Sequence, residues 1–260
     1  MEETVLKKAE KYWTRRAAGY SKVNQEELNG SQRMKWLRKL DGRIRQQYPD
    51  ENRADIRILD VGTGPGFFAV ILAEAGYDVT AVDYTLAMLD QAKANAGALA
   101  DRIRFLRMDG QDLEFPDNTF DVVISRNLTW GLEHPKRAYA SWKRVLKPGG
   151  LLLNFDANWY HHLYDAQKRE AYERDRDAVR EQGMEDYNTA PDIDEAAMEE
   201  IVRAVPLGKI RRPQWDRKIL KELGMGEIKA DTEVWKDVWS SAEQVNFAST
   251  PLFMVAAVKE

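Results

Sequence analysis

No cysteine occurs among the 260 residues. That absence removes disulfides, thiolate metal sites and cysteine nucleophiles together. Histidine is scarce, at three residues. No apolar run is longer than that at residues 67–73, far short of the roughly 20 residues a membrane-spanning helix needs. No membrane association is expected. Neither sign of charge dominates: 39 Lys and Arg against 43 Asp and Glu leave a net charge of −4. Because a phosphate backbone is gripped by clustered cations, a nucleic-acid partner is not expected either. The opening segment MEETVLKKAEKYW lacks an apolar signal-type core, so the expected location is the cytoplasm. Internal repeats and long linkers are also missing, and the length suits one core with additions. Oligomeric state is not legible.

What is present is an alternation of strand and helix patterns beginning after a turn at residues 48–50. Its first unit is ILDVGTGPG, residues 58–66. A strand over 57–61 carries Asp60, then come Gly62, Gly64 and Gly66, and a helix pattern follows at once over 67–75. Glycines let the backbone turn with positive φ and approach a ligand, while the helix start offers free N–H groups to an anion. Dinucleotide binding wants the spacing G-x-G-x-x-G, and Phe67 stands where its third glycine belongs. That reading fails by one residue.

A second strand over 78–83 ends in Asp83, 21 residues beyond Gly62, where a neighbouring parallel strand delivers a carboxylate suited to a ribose diol. A helix cap or turn former would look the same locally. Thr85 caps a helix over 86–95 that turns Met88 back toward this acid, and a third strand over 103–108 leads into Asp109-Gly110-Gln111. Further strands are expected at 120–125 and 151–155, the latter after a helix over 139–146 and a Lys-Pro-Gly-Gly turn at 147–150. Two charged helical runs, 165–185 and 192–205, read as an insertion. A helix near 215–223, a strand over 227–234, an aromatic stretch over 235–239 and a strand over 253–259 finish the chain. Ahead of the core, residues 1–48 show helical spacings that include Tyr12, Trp13 and Tyr20. Packing against a sheet edge would explain these as well as a pocket would.

The spacing Asp60-x-Gly62-x-Gly64-x-Gly66 resembles motif I of the class I S-adenosylmethionine-dependent methyltransferases. The run RVLKPGGLLL, residues 144–153, is similar to a segment of their UbiE-like small-molecule members, so the resemblance spans about 54–155. It implies an α/β fold: a doubly wound, Rossmann-like, seven-stranded and mostly parallel sheet, its last strand antiparallel. It also implies a core at 51–155 and 206–260, a helical cap at 1–50 and a substrate lid at 156–205. The implied activity is methyl transfer (class EC 2.1.1) to an N, O or C atom of a small molecule, yielding S-adenosylhomocysteine. The cofactor would meet Asp60, Gly62, Thr63, Gly64 and Gly66, then Asp83, Tyr84 and Met88, then Asp109, Gly110 and Gln111, with Asn127 and Tyr20 near its reacting end. Tyr12, Trp13, Trp130, Asp156, Trp159 and Tyr160 would surround the acceptor.

The Asn/Asp-Pro-Pro-aromatic signature of nucleic-acid and glutamine amino-methyltransferases is replaced by Ser-Arg-Asn-Leu at 125–128. His161 and His162 are candidate bases, although neighbouring side chains point different ways and at most one would face the pocket. With Asp165 they lack a metal-ligand spacing, so no metal is expected. Because methyl transfer from a sulfonium needs no obligatory residue, a cofactor-binding protein without activity and an enzyme with a tRNA or protein acceptor remain alternatives.

Overall fold

The computed structural model describes residues 3–189 and 192–260. Two helices come first, α1 (Val5–Asn29) and α2 (Gln32–Gln47). The alternating core then runs β1 (Arg57–Val61), α3 (Phe67–Glu74), β2 (Asp78–Asp83), α4 (Leu86–Ala96), β3 (Ile103–Arg107), β4 (Phe120–Arg126), α5 (Pro135–Val145) and β5 (Leu146–Asp156). After it come α6 (Ala166–Glu181), α7 (Glu195–Ala204), α8 (Gln214–Glu222), β6 (Met225–Asp231), α9 (Trp235–Val238), α10 (Ser241–Asn246) and β7 (Phe253–Lys259).

The seven strands form one sheet in the order β3-β2-β1-β4-β5-β7-β6, with β7 antiparallel to both of its neighbours. This is the doubly wound, Rossmann-like sheet expected from the motifs. Its central strands read as continuous apolar runs because both faces are covered. Trp36, Leu40 and Ile44 of α2 pack with residues 67–73 of α3 on one face, while Tyr139, Trp142 and Val145 of α5 pack with Ile219 and Leu220 of α8 on the other. Strand order reverses between β1 and β4, and in such sheets that is where a crevice opens at the carboxyl ends. Among the described residues no helix is long and apolar enough to cross a membrane.

Three boundaries and one helix differ notably from expectation. Helix α5 starts at Pro135 rather than 139, because proline at the first helical position gives up an N–H that would have been unpaired anyway. Strand β5 starts at Leu146 rather than 151: Phe120 pairs with Leu146 and Val122 with Leu151, so Lys147–Gly150 bulge out of a continuing strand instead of forming a turn. Strand β6 ends at Asp231, short of 234. Helix α10 was not anticipated at all, yet it has a complete capping box in which Ser240 and Glu243 exchange side-chain and backbone bonds. Ser240→Ala is expected to lower stability by about 1 kcal/mol in urea unfolding; an unchanged midpoint would remove the cap from the account.

Candidate functional site

A cavity of about 660 Å³ lies along the carboxyl ends of β1 to β4, under α1 and beside α6 and α7. Its size is that of a small-molecule site. At one end the glycine loop turns with φ of 69° at Gly62 and 90° at Gly66, where a Cβ would sit 2.9 Å from that of Ala92. Close packing against α4 therefore requires glycine at 66, although that residue lies behind the cavity wall. The N–H groups of Gly62 and Thr63 both bond the Val82 carbonyl, at 2.9 and 3.0 Å, and tie the loop to β2.

Three acids leave three consecutive strands here. Asp60 is 2% exposed and accepts a bond from the Thr63 hydroxyl at 2.6 Å. Burial pushes its carboxyl up to about 7 against the opposing effects of Thr63 and Arg126. Asp83 accepts from the N–H groups of Gly64 at 2.9 Å and Thr85 at 2.8 Å, one on each oxygen. Burial raises its carboxyl above the ordinary range as well. Asp109 accepts from the Gln111 N–H at 2.9 Å, and the loop is braced by Gln111 on the His134 N–H and by Trp142 on the Gly110 carbonyl.

At the end of β4, Arg126 forms two bonds to Glu27 of α1, at 2.7 and 2.9 Å, and stacks over Trp36, Phe67 and Phe68. This pair, desolvated on both sides, fastens α1 over the site. Asn127 follows with φ of 56°, an uncommon conformation that asparagine tolerates best outside glycine. Its carbonyl accepts from the Trp130 indole at 2.9 Å, while its side-chain Oδ1 is buried without a hydrogen-bond partner. A buried acceptor left unpaired at a cavity wall suits a ligand that donates.

Helix α1 lays one stripe along the cavity. Tyr12, Arg16, Tyr20 and Asn24 succeed one another at four-residue intervals and all line it, with Trp13 beside them. On the far side Trp130 packs on Tyr160 with centroids 5.0 Å apart, and His162 stacks on Tyr172 of α6 at 4.2 Å and 13°. The His162 Nδ1 is buried without a partner, and burial holds its imidazole below the ordinary value.

Eighteen of the residues expected at a site share this one cavity: Tyr12, Trp13, Tyr20, Asp60, Gly62, Thr63, Gly64, Asp83, Tyr84, Met88, Asp109, Gly110, Gln111, Asn127, Trp130, Trp159, Tyr160 and His162. Gly66, Asp156 and His161 do not reach it. Asp156 is fully buried and spent on Arg212, Thr129 and the Trp130 and Ala157 N–H groups, leaving nothing for an acceptor. His161 turns away to the Ile210 carbonyl at 3.1 Å, as the opposed directions of neighbouring side chains require. Residues not singled out beforehand also line the cavity. Arg16 and Asn24 carried a signal in their four-residue spacing from Tyr12 and Tyr20; Tyr172 and Met198 carried none, because their place depends on how α6 and α7 fold back.

Residues 59–154 match the methyltransferase domain family. A demethylmenaquinone methyltransferase of Renibacterium salmoninarum is 40% identical over 100 residues, 37% of this chain and 39% of the relative. The chain spans about two fifths of the length of the curated relatives it first matches. A SAM-dependent methyltransferase from Aquifex aeolicus has the same fold, with a TM-score of 0.55 at 18% identity, covering 92% of this chain and 98% of that one. The Haemonchus contortus phosphoethanolamine N-methyltransferase 2, solved with S-adenosyl-L-methionine, superposes with a TM-score of 0.54 at 17% identity, over 91% of this chain and 60% of that one. With its motif-I loop and its doubly wound sheet, the chain carries over residues 59–154 a match to the methyltransferase domain family, and over that part it is similar to demethylmenaquinone methyltransferases.

Proposed function

We propose that this chain transfers a methyl group from S-adenosylmethionine to a small molecule by in-line displacement. The observation that carries the reading is convergence: a glycine loop and three strand-end acids open into one cavity that continues past Asn127 into an apolar half. The residues present fit the cofactor. Asp83 offers its remaining lone pairs to a ribose diol, the Asp109–Gln111 loop an edge for adenine, and Asp60 with the glycine loop a place for the charged methionine end. The unpaired Asn127 Oδ1 and the Tyr20 ring lie toward the reacting end. When bound, the cofactor supplies a methyl on a positive sulfur whose departure as a neutral thioether needs no acid.

Alignment and exclusion of water are then the chain's main tasks. The α1 stripe, fastened by Arg126 and Glu27, covers the cofactor end, and residues 156–205 cover the acceptor end as a lid. On this reading 1–50 are a cap and 51–155 with 206–260 the core. His162, neutral and with a free Nδ1, can take a proton from an acceptor that carries one. A small acceptor is favoured because the acceptor half is enclosed by Tyr12, Trp130, Tyr160, Met198 and Ile201, with no fully buried charge among them. The relatives named as demethylmenaquinone methyltransferases support the same class.

Calorimetric titration should show S-adenosylmethionine and S-adenosylhomocysteine binding at micromolar levels and NADH not binding. Binding of neither, or a preference for NADH, overturns the cofactor assignment. With a labelled methyl donor and a cell extract, label is expected in the small-molecule fraction; label confined to protein or RNA would transfer the reading to a macromolecular acceptor, and no label at all to a binding protein.

A further inference from the structure

Behind the cavity, and outside its wall, lies the most deeply buried group of charges in the described residues. Arg212, Asp156 and Asp216 have side chains with no exposure. The guanidinium spends every nitrogen: Nη1 on Asp156, Nη2 on Thr129 and Asp216, Nε on both Asp216 oxygens, at 2.5 to 3.1 Å. Tyr139 donates to Asp216 at 2.6 Å, and Asn154 donates to the Tyr139 and Thr129 hydroxyls at 2.9 and 3.1 Å. Asn154 Oδ1 is the one side-chain atom in this group without a partner. Two carboxylates and a guanidinium taken wholly out of water are weak stabilisers, and well-packed apolar side chains of similar volume commonly do as well. The arrangement therefore calls for a reason other than stability.

Its geometry supplies one. Asp156, Arg212 and Asn154 all bond the short turn Thr129–Gly131 that follows β4. One Asp156 oxygen accepts from the Thr129 hydroxyl, the Trp130 N–H at 2.9 Å and Arg212. Trp130 is the residue of this turn whose ring forms cavity wall, held at its indole by the Asn127 carbonyl and packed on Tyr160. Arg212 also belongs to the segment that returns from α7: its N–H and C=O pair with the side-chain amide of Asn158, both at 3.0 Å. The root of the proposed lid and the turn bearing Trp130 are thus fixed to the same carboxylate.

We infer that Arg212, with Asp156 and Asp216, is a positioning residue that sets the Thr129–Gly131 turn, and so the Trp130 ring, between the cofactor and acceptor halves of the cavity. The inference rests on the reading of that cavity as a methyl-transfer site. None of the three touches the cavity, so they act through Trp130 and not on the reacting atoms. Loss of the network frees the turn while Asp60, Asp83 and Asp109, which share no bond with it, keep their places.

The test uses the full chain labelled with fluorotryptophan, in which fluorine NMR resolves the eight tryptophans and Trp130→Phe assigns the signal of interest. Two variants are compared with wild type. The triple substitution Asp156→Leu, Arg212→Met, Asp216→Leu removes all three charges together and avoids stranding any one of them. Thr129→Val keeps side-chain shape and removes a single hydroxyl. The expected result is a broadened or split Trp130 signal in both, unchanged Trp36, Trp235 and Trp239 signals, and retained S-adenosylhomocysteine binding. An unshifted, equally narrow Trp130 signal in the folded variants overturns the inference. Should the triple variant not fold, Thr129→Val decides alone. Failure of wild type to bind S-adenosylhomocysteine would strike the proposed function instead, and the Trp130 signal would still report on the turn.

Discussion

Asp83→Ala is expected to bind S-adenosylhomocysteine at least tenfold more weakly than wild type in calorimetry. Hydrogen bonds to a charged acceptor are worth about 1.5–3 kcal/mol each, and a ribose diol offers two. A second loss adds to the first. In the free protein the same carboxylate holds the Gly64 N–H on one oxygen and the Thr85 N–H on the other, so its removal also loosens the glycine loop and the start of α4. Asp83→Asn separates the two effects, because its amide keeps one acceptor and the shape while losing the charge. It should fall between wild type and alanine. A loss in Asp83→Ala that is matched by His161→Ala would sink the assignment, since His161 faces Ile210 and not the cavity.

The place of Asp83 at the cavity could be read from sequence because everything that puts it there is local: a glycine loop, a strand of standard length, and a parallel neighbour that brings its end alongside. The same logic reached Asp109 and the seven-stranded sheet. It failed at Asp156, which also ends a central strand as an acid. What distinguishes Asp156 is Arg212, 56 residues later in the chain, and no pattern near residue 156 announces that the return from α7 will bring a guanidinium there. Glu27 and Arg126 illustrate the same limit, being 99 residues apart and meaningful only as a pair. The two histidines show the opposite case. Backbone geometry alone said that one of them would turn away, and only the packing of Tyr172 against its ring identifies His162 as the one at the cavity.

Cofactor affinity should also depend on pH through Asp60. Burial holds its carboxyl at about 7 in the free protein, so below that pH it is largely protonated. If it pairs with the ammonium of the methionine end, the bound state needs it ionised, and binding must release a proton. Affinity is then expected to fall by up to about tenfold per pH unit as pH drops below 7, the limiting slope of one linked proton. Above pH about 8 the cofactor's own α-amino group loses its charge and affinity declines again. The result is an optimum between the two.

The groups facing Asp60 are Thr63, Arg126 and Asp83. Of these Asp83 is also raised, yet its proposed partner is a neutral diol, so Asp60→Asn should bind more weakly at pH 7 and lose most of the slope below it. The free protein shows the converse sign. A carboxyl raised in the fold from an ordinary value near 3.8 costs stability as pH climbs from there to about 7, because the unfolded chain ionises first. Asp60→Asn should therefore unfold at higher urea than wild type at pH 7.5 and lose that advantage at pH 4. A flat binding profile between pH 5.5 and 7 in wild type would place the ammonium elsewhere, and a slope that survives in Asp60→Asn would assign the linked proton to Asp83.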